Sequence, residues 1–282
     1  MKIPFIKMQG CANDYIYIDC LKTTIDNPSV LAKAMSPRHF SVGSDGLVLI
    51  CPSQVADFKM RMFNLDGSEG KMCGNAIRCV GKYVYDSGYT QSTILSIETL
   101  SGIKHLKLNV VDGKVQTVIV EMGQAKLNKD DIPVLSDSDT LINKEVLVAG
   151  GTYKVTCVSM GNPHCVTYVD DVKRLDLNTL GPKFENDRMF PERVNTEFIH
   201  VIDRTTLDMR VWERGSGETW ACGTGACAAA VSSVLNDYCD YDKAITIHLL
   251  GGDLKITVDH SLNVLMEGPA KKVYEGVYEY EC

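Results

Sequence analysis

The chain repeats itself. Displaced by 149 residues, KMRMFNLDGSEGKMCGNA (59–76) lies over DMRVWERGSGETWACGTG (208–225) without a gap. Identities fall at Met60/Met209, Arg61/Arg210, Glu69/Glu218, Cys73/Cys222 and Gly74/Gly223. At the same displacement Asn13, in GCANDY, meets Asn162, in GNPHC; at 150, Ile97, Leu100 and Gly102 meet Ile247, Leu250 and Gly252. Three segments in register across half a chain mark a duplicated unit of about 140 residues, with two copies rather than a solenoid. The 282-residue length fits two such units.

Each copy has the same grammar. A β-rich opening (Phe5–Ile18; Glu145–Val169) leads through a variable region to a strand (Phe58–Asn64; Leu207–Glu213), then a Gly/Ser/Asp-rich loop, then a Cys-Gly pair. Helical sequence follows, residues 75–86 and 224–238. The second helix is Ala, Cys and Val on several faces, so it is expected to be wrapped in protein. Strands with turns at Asp112-Gly113 and Gly251-Gly252 close each copy. Residues 273–280 remain as an extra strand, expected to return to the first domain's sheet. The expected domains are 1–122 with 269–282, carrying Cys73, and 123–268, carrying Cys222, with the polar stretch 126–139 just past the boundary.

Composition narrows the function. A net charge of −7 with no basic stripe argues against nucleic acid and anionic membranes as partners. The absence of an 18-residue apolar stretch or of a long apolar leader argues against a membrane span and secretion. Eleven cysteines, an odd number and without C-x-x-C, argue against a disulfide scaffold, a zinc ribbon or a thioredoxin-type site, and for a reducing cytoplasm. Most thiols are then buried hydrophobes, including Cys79 and Cys227 inside the helices. Cys11, Cys20, Cys51, Cys157, Cys165, Cys239 and Cys282 are read as structural or incidental.

Cys73 and Cys222 differ from the rest. Both stand where a glycine-rich loop enters a helix, so unpaired N–H groups and the positive dipole end converge there. Such a place holds an anion and favours a thiolate. A single cysteine at a helix start is more often structural. A symmetric pair, presented by approximate two-fold symmetry to one cleft, suits proton abstraction beside a carboxylate by one thiolate and protonation of the opposite face by the other thiol. A Cys–His hydrolase using His164 leaves the second cysteine unexplained. A redox or carboxylate-binding protein needs no turnover.

MCGNAIRCV, GNPH (162–164 within it), VNTEF and WERGSGETWACGTGACA together resemble the diaminopimelate epimerase family, with likeness from GCANDY to the last strand. The resemblance implies an α+β fold of two pseudo-symmetric duplicated domains, each a curled, barrel-like mixed sheet around a central helix. It implies a cofactor-independent isomerase interconverting LL- and meso-2,6-diaminopimelate, without a metal, on the route to lysine and peptidoglycan. By the same resemblance Cys73 and Cys222 are the acid/base thiols, and His164 and Glu213 tune them. Gly74-Asn75 and Gly223-Thr224 cradle the reacting carboxylate, while Asn13, Asn64, Asn162, Asn195 and the Glu213-Arg214 pair contact substrate. Arg214 can meet a distal carboxylate bidentately, and asparagines offer donor and acceptor without charge. Read alone, Asn64 suits the Asp66-Gly67 turn, Arg214 a solvated surface charge, and His164 a packed loop residue. Two positions depart from the family: 76 is Ala where Gly is usual, and 46 is Gly where some members carry a substrate-binding Gln. The nearest rival is another two-thiol racemase acting on proline, hydroxyproline or histidine, which needs no distal clamp. The oligomeric state stays open, a homodimer being one candidate.

Overall fold

In the computed structural model, which describes residues 1–280, the chain divides into two compact units. One comprises Met1–Val120 and the chain from Glu267 onward; the other is Glu121–Met266. Cys282 lies outside the described residues. The architecture is α+β, with four α-helices and many strands among the described residues.

The first unit runs β1 (Lys2–Gly10), β2 (Asn13–Asp19), α1 (Pro28–Met35), β3 (Gly46–Cys51), β4 (Phe58–Asn64), β5 (Glu69–Gly70), α2 (Gly74–Asp86), β6 (Ile94–Thr99), β7 (Gly102–Val111) and β8 (Lys114–Gln124). The last strand of the chain, Lys271–Glu279, pairs antiparallel with β1, Lys2 opposite Glu279. β1–β2 is antiparallel, β2–β3 parallel, β3–β4 antiparallel, β4–β6 parallel, and β6–β7–β8 antiparallel. Asp112 and Gly113, at φ 50° and 73°, make the two-residue hairpin turn expected there.

The second unit repeats this pairing. It runs β9 (Lys144–Val148), β10 (Gly151–Ser159), β11 (Pro163–Tyr168), α3 (Leu177–Glu185), β12 (Asn195–Asp203), β13 (Thr206–Glu213), β14 (Gly217–Thr219), α4 (Gly223–Leu235), β15 (Ile245–Leu249) and β16 (Gly252–Val258). β10–β11 is antiparallel, β11–β12 parallel, β12–β13 antiparallel, β13–β15 parallel and β15–β16 antiparallel. The outer position held in the first unit by the C-terminal strand is filled here by β9. The tight turn falls on Leu250-Gly251 rather than Gly251-Gly252, because Gly252 already pairs with Leu249.

Strand alternation explains why both faces are apolar. In β2, Tyr15 and Tyr17 point one way and Ile16 and Ile18 the other, and all four are buried. Ile16 and Ile18 join Leu31, Ala32 and Met35 of α1 with Leu47 and Leu49 of β3 in one core. The opposite face lies toward α2, which packs on β1, β2 and β7. In the second unit Phe198 of β12 packs with Phe184 of α3 at 5.4 Å, edge to face. α4 touches β10, β11, β12 and β16, strands from opposite ends of the ladder, so the sheet curls around it. Its alanines, Cys227 and Val231 are wholly buried, and buried Ser232 bonds Tyr168 Oη at 2.8 Å. Expected to reach Tyr238, α4 stops at Leu235. Asp237 turns left-handed at φ 59°, and the amides of Tyr238 and Cys239 close back on Ser233 O. No helix among the described residues is long and apolar enough to cross a membrane.

Candidate active site

Each central helix begins on one of the two singled-out cysteines. Cys73 is the N-cap of α2 and Cys222 the N-cap of α4, both with extended backbone, and both helices are 13 residues long. Gly74-Asn75 and Gly223-Thr224 are the opening residues of these helices, where amides lack intrahelical acceptors.

In the first unit the Cys73 thiol donates to Asn13 Oδ1 at 3.3 Å. Asn13 is oriented by Asp45, whose Oδ2 accepts from its Nδ2 at 2.7 Å. Arg38 bridges Asp45 and Asp14, and buried Lys7 also reaches Asp14. Burial alone raises the Asp14 carboxyl, but Arg38 and Lys7 together outweigh it and hold the group below its usual range. Asn64 is not drawn into this cluster: it is exposed on the β4–β5 turn, Nδ2 to Ser68 Oγ at 2.9 Å. At Gly46 a Cβ would stand 2.1 Å from the Phe63 carbonyl oxygen, so this backbone admits no side chain there. Ala76 is fully buried in α2, and its carbonyl accepts from Tyr17 Oη at 3.3 Å.

In the second unit a hydrogen-bonded chain runs to the thiol. Buried Glu197 meets His164 Nδ1 at 2.7 Å, and His164 Nε2 meets Asn162 Oδ1 at 3.0 Å. Asn162 Nδ2 donates to Thr224 Oγ1 at 3.3 Å, and Thr224 Oγ1 lies 3.5 Å from Cys222 Sγ. The Gly225 amide donates to the same sulfur at 3.3 Å. Glu213 accepts from Thr219 and bonds the Cys222 thiol. Asn195 braces the backbone, donating to Pro163 O and accepting from Arg214 N, at 2.8 and 2.9 Å. Half-buried Arg214 rests Nη1 on Glu192 O at 2.9 Å.

The electrostatics correct one expectation. A helix start was expected to favour the thiolate, yet Cys222 is pushed well above the ordinary thiol range. Burial is the largest cause, followed by the charges of Glu213 and Glu197; the Gly225 amide and Thr224 only partly offset them. Burial likewise raises Glu213, against the Thr219 and Cys222 hydrogen bonds. Cys222 is therefore suited to rest as a protonated acid beside carboxylates.

Sequence reasoning passed over four residues. Glu197 stands two positions beyond Asn195 in VNTEF, on the same face of β12, and that alternation was the available signal. Asp45 precedes Gly46 and orients Asn13. Thr219 holds Glu213. Glu185, on α3, accepts from Trp212 Nε1 at 2.7 Å and from the Gly215 amide at 2.9 Å, fixing the loop that carries Arg214. Asp45 and Glu185 reach their partners from distant segments, and no local pattern announced them. A surface depression of 310 Å³, lined by Tyr168, Asp170, His200 and Tyr238 among others, contains none of the expected site residues. Among the described residues no group of three or more His, Cys, Asp or Glu is arranged to hold a metal.

The family model described as diaminopimelate epimerase matches residues 5–128 and 156–273. A protein named diaminopimelate epimerase from Acetivibrio thermocellus is 58% identical over 273 residues, covering 96% of this chain and 97% of its own. Its namesake from Methanococcus maripaludis is 54% identical, covering 96% and 98%. Among solved structures, a phenazine biosynthesis protein of the PhzF family from Bacillus anthracis matches with TM-score 0.74 at 16% identity, covering 99% of this chain and 100% of that one. A hydroxyproline epimerase from Agrobacterium vitis, bound to trans-4-hydroxy-L-proline, matches with TM-score 0.69 at 11%, covering 98% and 92%. These distant structures share the fold; the close relatives and the family model decide the family. With two matched segments spanning both units, the chain belongs to the diaminopimelate epimerase family.

Proposed function

We propose that the chain inverts one α-carbon of 2,6-diaminopimelate, LL to meso and back, with Cys73 and Cys222 as its two proton-transfer groups. The observation that carries this is the repeated placement of a cysteine as N-cap of each unit's central helix, each helix start bonded by one of two asparagines 149 residues apart, Asn13 to the Cys73 thiol and Asn162 to Thr224. One thiolate removes the α-proton, and the C–H electron pair moves into the neighbouring carboxylate. The opposite thiol then protonates the other face, and the two cysteines exchange protonation states. The helix-start amides at Gly74-Asn75 and Gly223-Thr224 steady the charge that develops on the carboxylate.

The remaining residues sort by reach. His164 and Glu213 tune Cys222. Asn13 and Asn162 contact the reacting end, and Arg214, with Asn64 and Asn195, grips the distal amino-acid end. Thiols supply both proton transfers, so the reaction draws on no cofactor. The proposed setting is cytoplasmic synthesis of lysine and of a peptidoglycan precursor, with a homodimer as one assembly.

The test is turnover. Reduced protein incubated with LL-diaminopimelate is expected to form the meso isomer, resolved by chiral chromatography, and Cys73→Ala and Cys222→Ala each to abolish it with unchanged circular dichroism. Inversion of proline or hydroxyproline, with diaminopimelate untouched, would place the chain with the other two-thiol racemases.

A further inference from the structure

The duplication makes a comparison that neither unit offers alone. Displaced by the same 149 residues that align the cysteines, His164 corresponds to Tyr15. The sheet registers agree: His164 pairs with Asn195 across β11–β12, and Tyr15 with Gly46 across β2–β3. The acid behind His164, Glu197, corresponds to Val48, so the first unit has no His–Glu pair behind its thiol.

Tyr15 is buried on the face of β2 that it shares with Asn13 and Tyr17. These alternate residues follow the start of α2: Asn13 Oδ1 accepts a hydrogen bond from the Cys73 thiol at 3.3 Å, and Tyr17 Oη donates to Ala76 O at 3.3 Å. Between them, the Tyr15 hydroxyl has the Asn13 amide and the Cys73 sulfur as hydrogen-bonding neighbours. The bare Gly46 admits the Tyr15 ring: a Cβ there would meet Tyr15 Cε1 at 3.0 Å. Burial first, then the negative charges of Cys73 and Asp45, hold the Tyr15 hydroxyl far above its ordinary range, so it remains a donor.

We propose that the Tyr15 hydroxyl is a positioning residue that donates a hydrogen bond to the Cys73 thiolate, the first unit's counterpart of His164. Asn13 Oδ1 can only accept, so it serves the protonated thiol; Tyr15 Oη–H serves the thiolate. The pair gives Cys73 a partner in each protonation state. Other titratable groups around this corner are Asp45 on Asn13, Asp14 with Lys7 and Arg38, Tyr17 with Cys79, and Arg78, which turns to the Gly74 and Pro269 carbonyls. The proposal rests on Cys73 being a working thiol, but its test does not depend on turnover.

In the full chain, alkylation of Cys73 by iodoacetamide is followed across pH by mass spectrometry of its peptide, with Cys222 read in parallel. Tyr15→Phe keeps the ring and removes the donor. The Cys73 midpoint is expected to rise by about one pH unit, a roughly tenfold loss of thiolate at fixed pH, while that of Cys222 stays. 3-Fluorotyrosine at position 15, a stronger donor of nearly the same shape, is expected to lower the Cys73 midpoint, and decides the matter should Tyr15→Phe fold poorly. An unmoved Cys73 midpoint in the folded variants, or a Cys222 midpoint that moves equally, overturns the proposal. A chain that shows the Cys73 shift yet never epimerises diaminopimelate would instead overturn the proposed function and leave this pairing standing.

Discussion

Gly225 and Ala76 occupy the same place in the two copies, third after the helix-capping cysteine, and only one needs to be glycine. A Cβ at 225 would stand 2.6 Å from Glu197 Oε1 and 3.2 Å from Cys222 Sγ. Val48, the counterpart of Glu197, brings no carboxylate, and the alanine at 76 sits fully buried. Gly225→Ala is therefore expected to displace the carboxylate or the thiol, costing about 1–3 kcal/mol of stability in urea unfolding and at least about tenfold in kcat/KM. Ala76→Gly is expected to cost about 1 kcal/mol or less, with little change in rate. Glu197→Gln isolates the charge. Its carboxylate is one cause that raises the Cys222 thiol, so its removal should move alkylation of Cys222 to lower pH; a midpoint that stays or climbs would deny that Glu197 acts on the thiol. The cysteines were legible because duplication repeats them, and Asn13 and Asn162 for the same reason. Glu197 was not, because it has no counterpart of its own kind and its partners come from other strands.

Among elements, the two central helices show how far pattern reading reaches. Their starts follow from Cys-Gly after a turn-rich loop. The end of α4 does not, because helix-forming sequence runs on past Leu235 and only the left-handed Asp237 and the closure onto Ser233 halt it. α2 carries a device the sequence does not announce. Arg78 is wholly buried, donating from Nη1 to Gly74 O at 3.0 Å and from Nε to Pro269 O at 3.1 Å, which ties the first carbonyl of the helix to the strand residues 263–269. Arg78→Met keeps the stem and removes those donors. It is expected to lower stability by about 2–4 kcal/mol, read as a lower urea midpoint at constant slope. An unchanged midpoint would mean that water satisfies both carbonyls equally well.

At the scale of the whole chain, the two units share one pairing order and differ at its edge, where β9 closes one ladder and the C-terminal strand closes the other. That strand could be anticipated because the second copy is complete before the chain ends. Asp45, Glu185 and Glu197 could not, since the fold brings them to Asn13, Trp212 and His164 over long sequence separations. The duplication also underlies the proposed chemistry: two helix starts, two cysteines, and a burial that pushes the Cys222 thiol up. Deuterium labelling tests that division of labour most directly. Under the proposed mechanism, in deuterated water the delivering thiol carries solvent deuterium, while the abstracting thiolate takes the substrate's own proton. Starting from LL-diaminopimelate, the earliest meso product is expected to carry deuterium at the inverted carbon, with the remaining LL substrate still largely protiated. Early meso product that retains protium at that carbon would contradict a mechanism with two thiols and point to one base serving both faces.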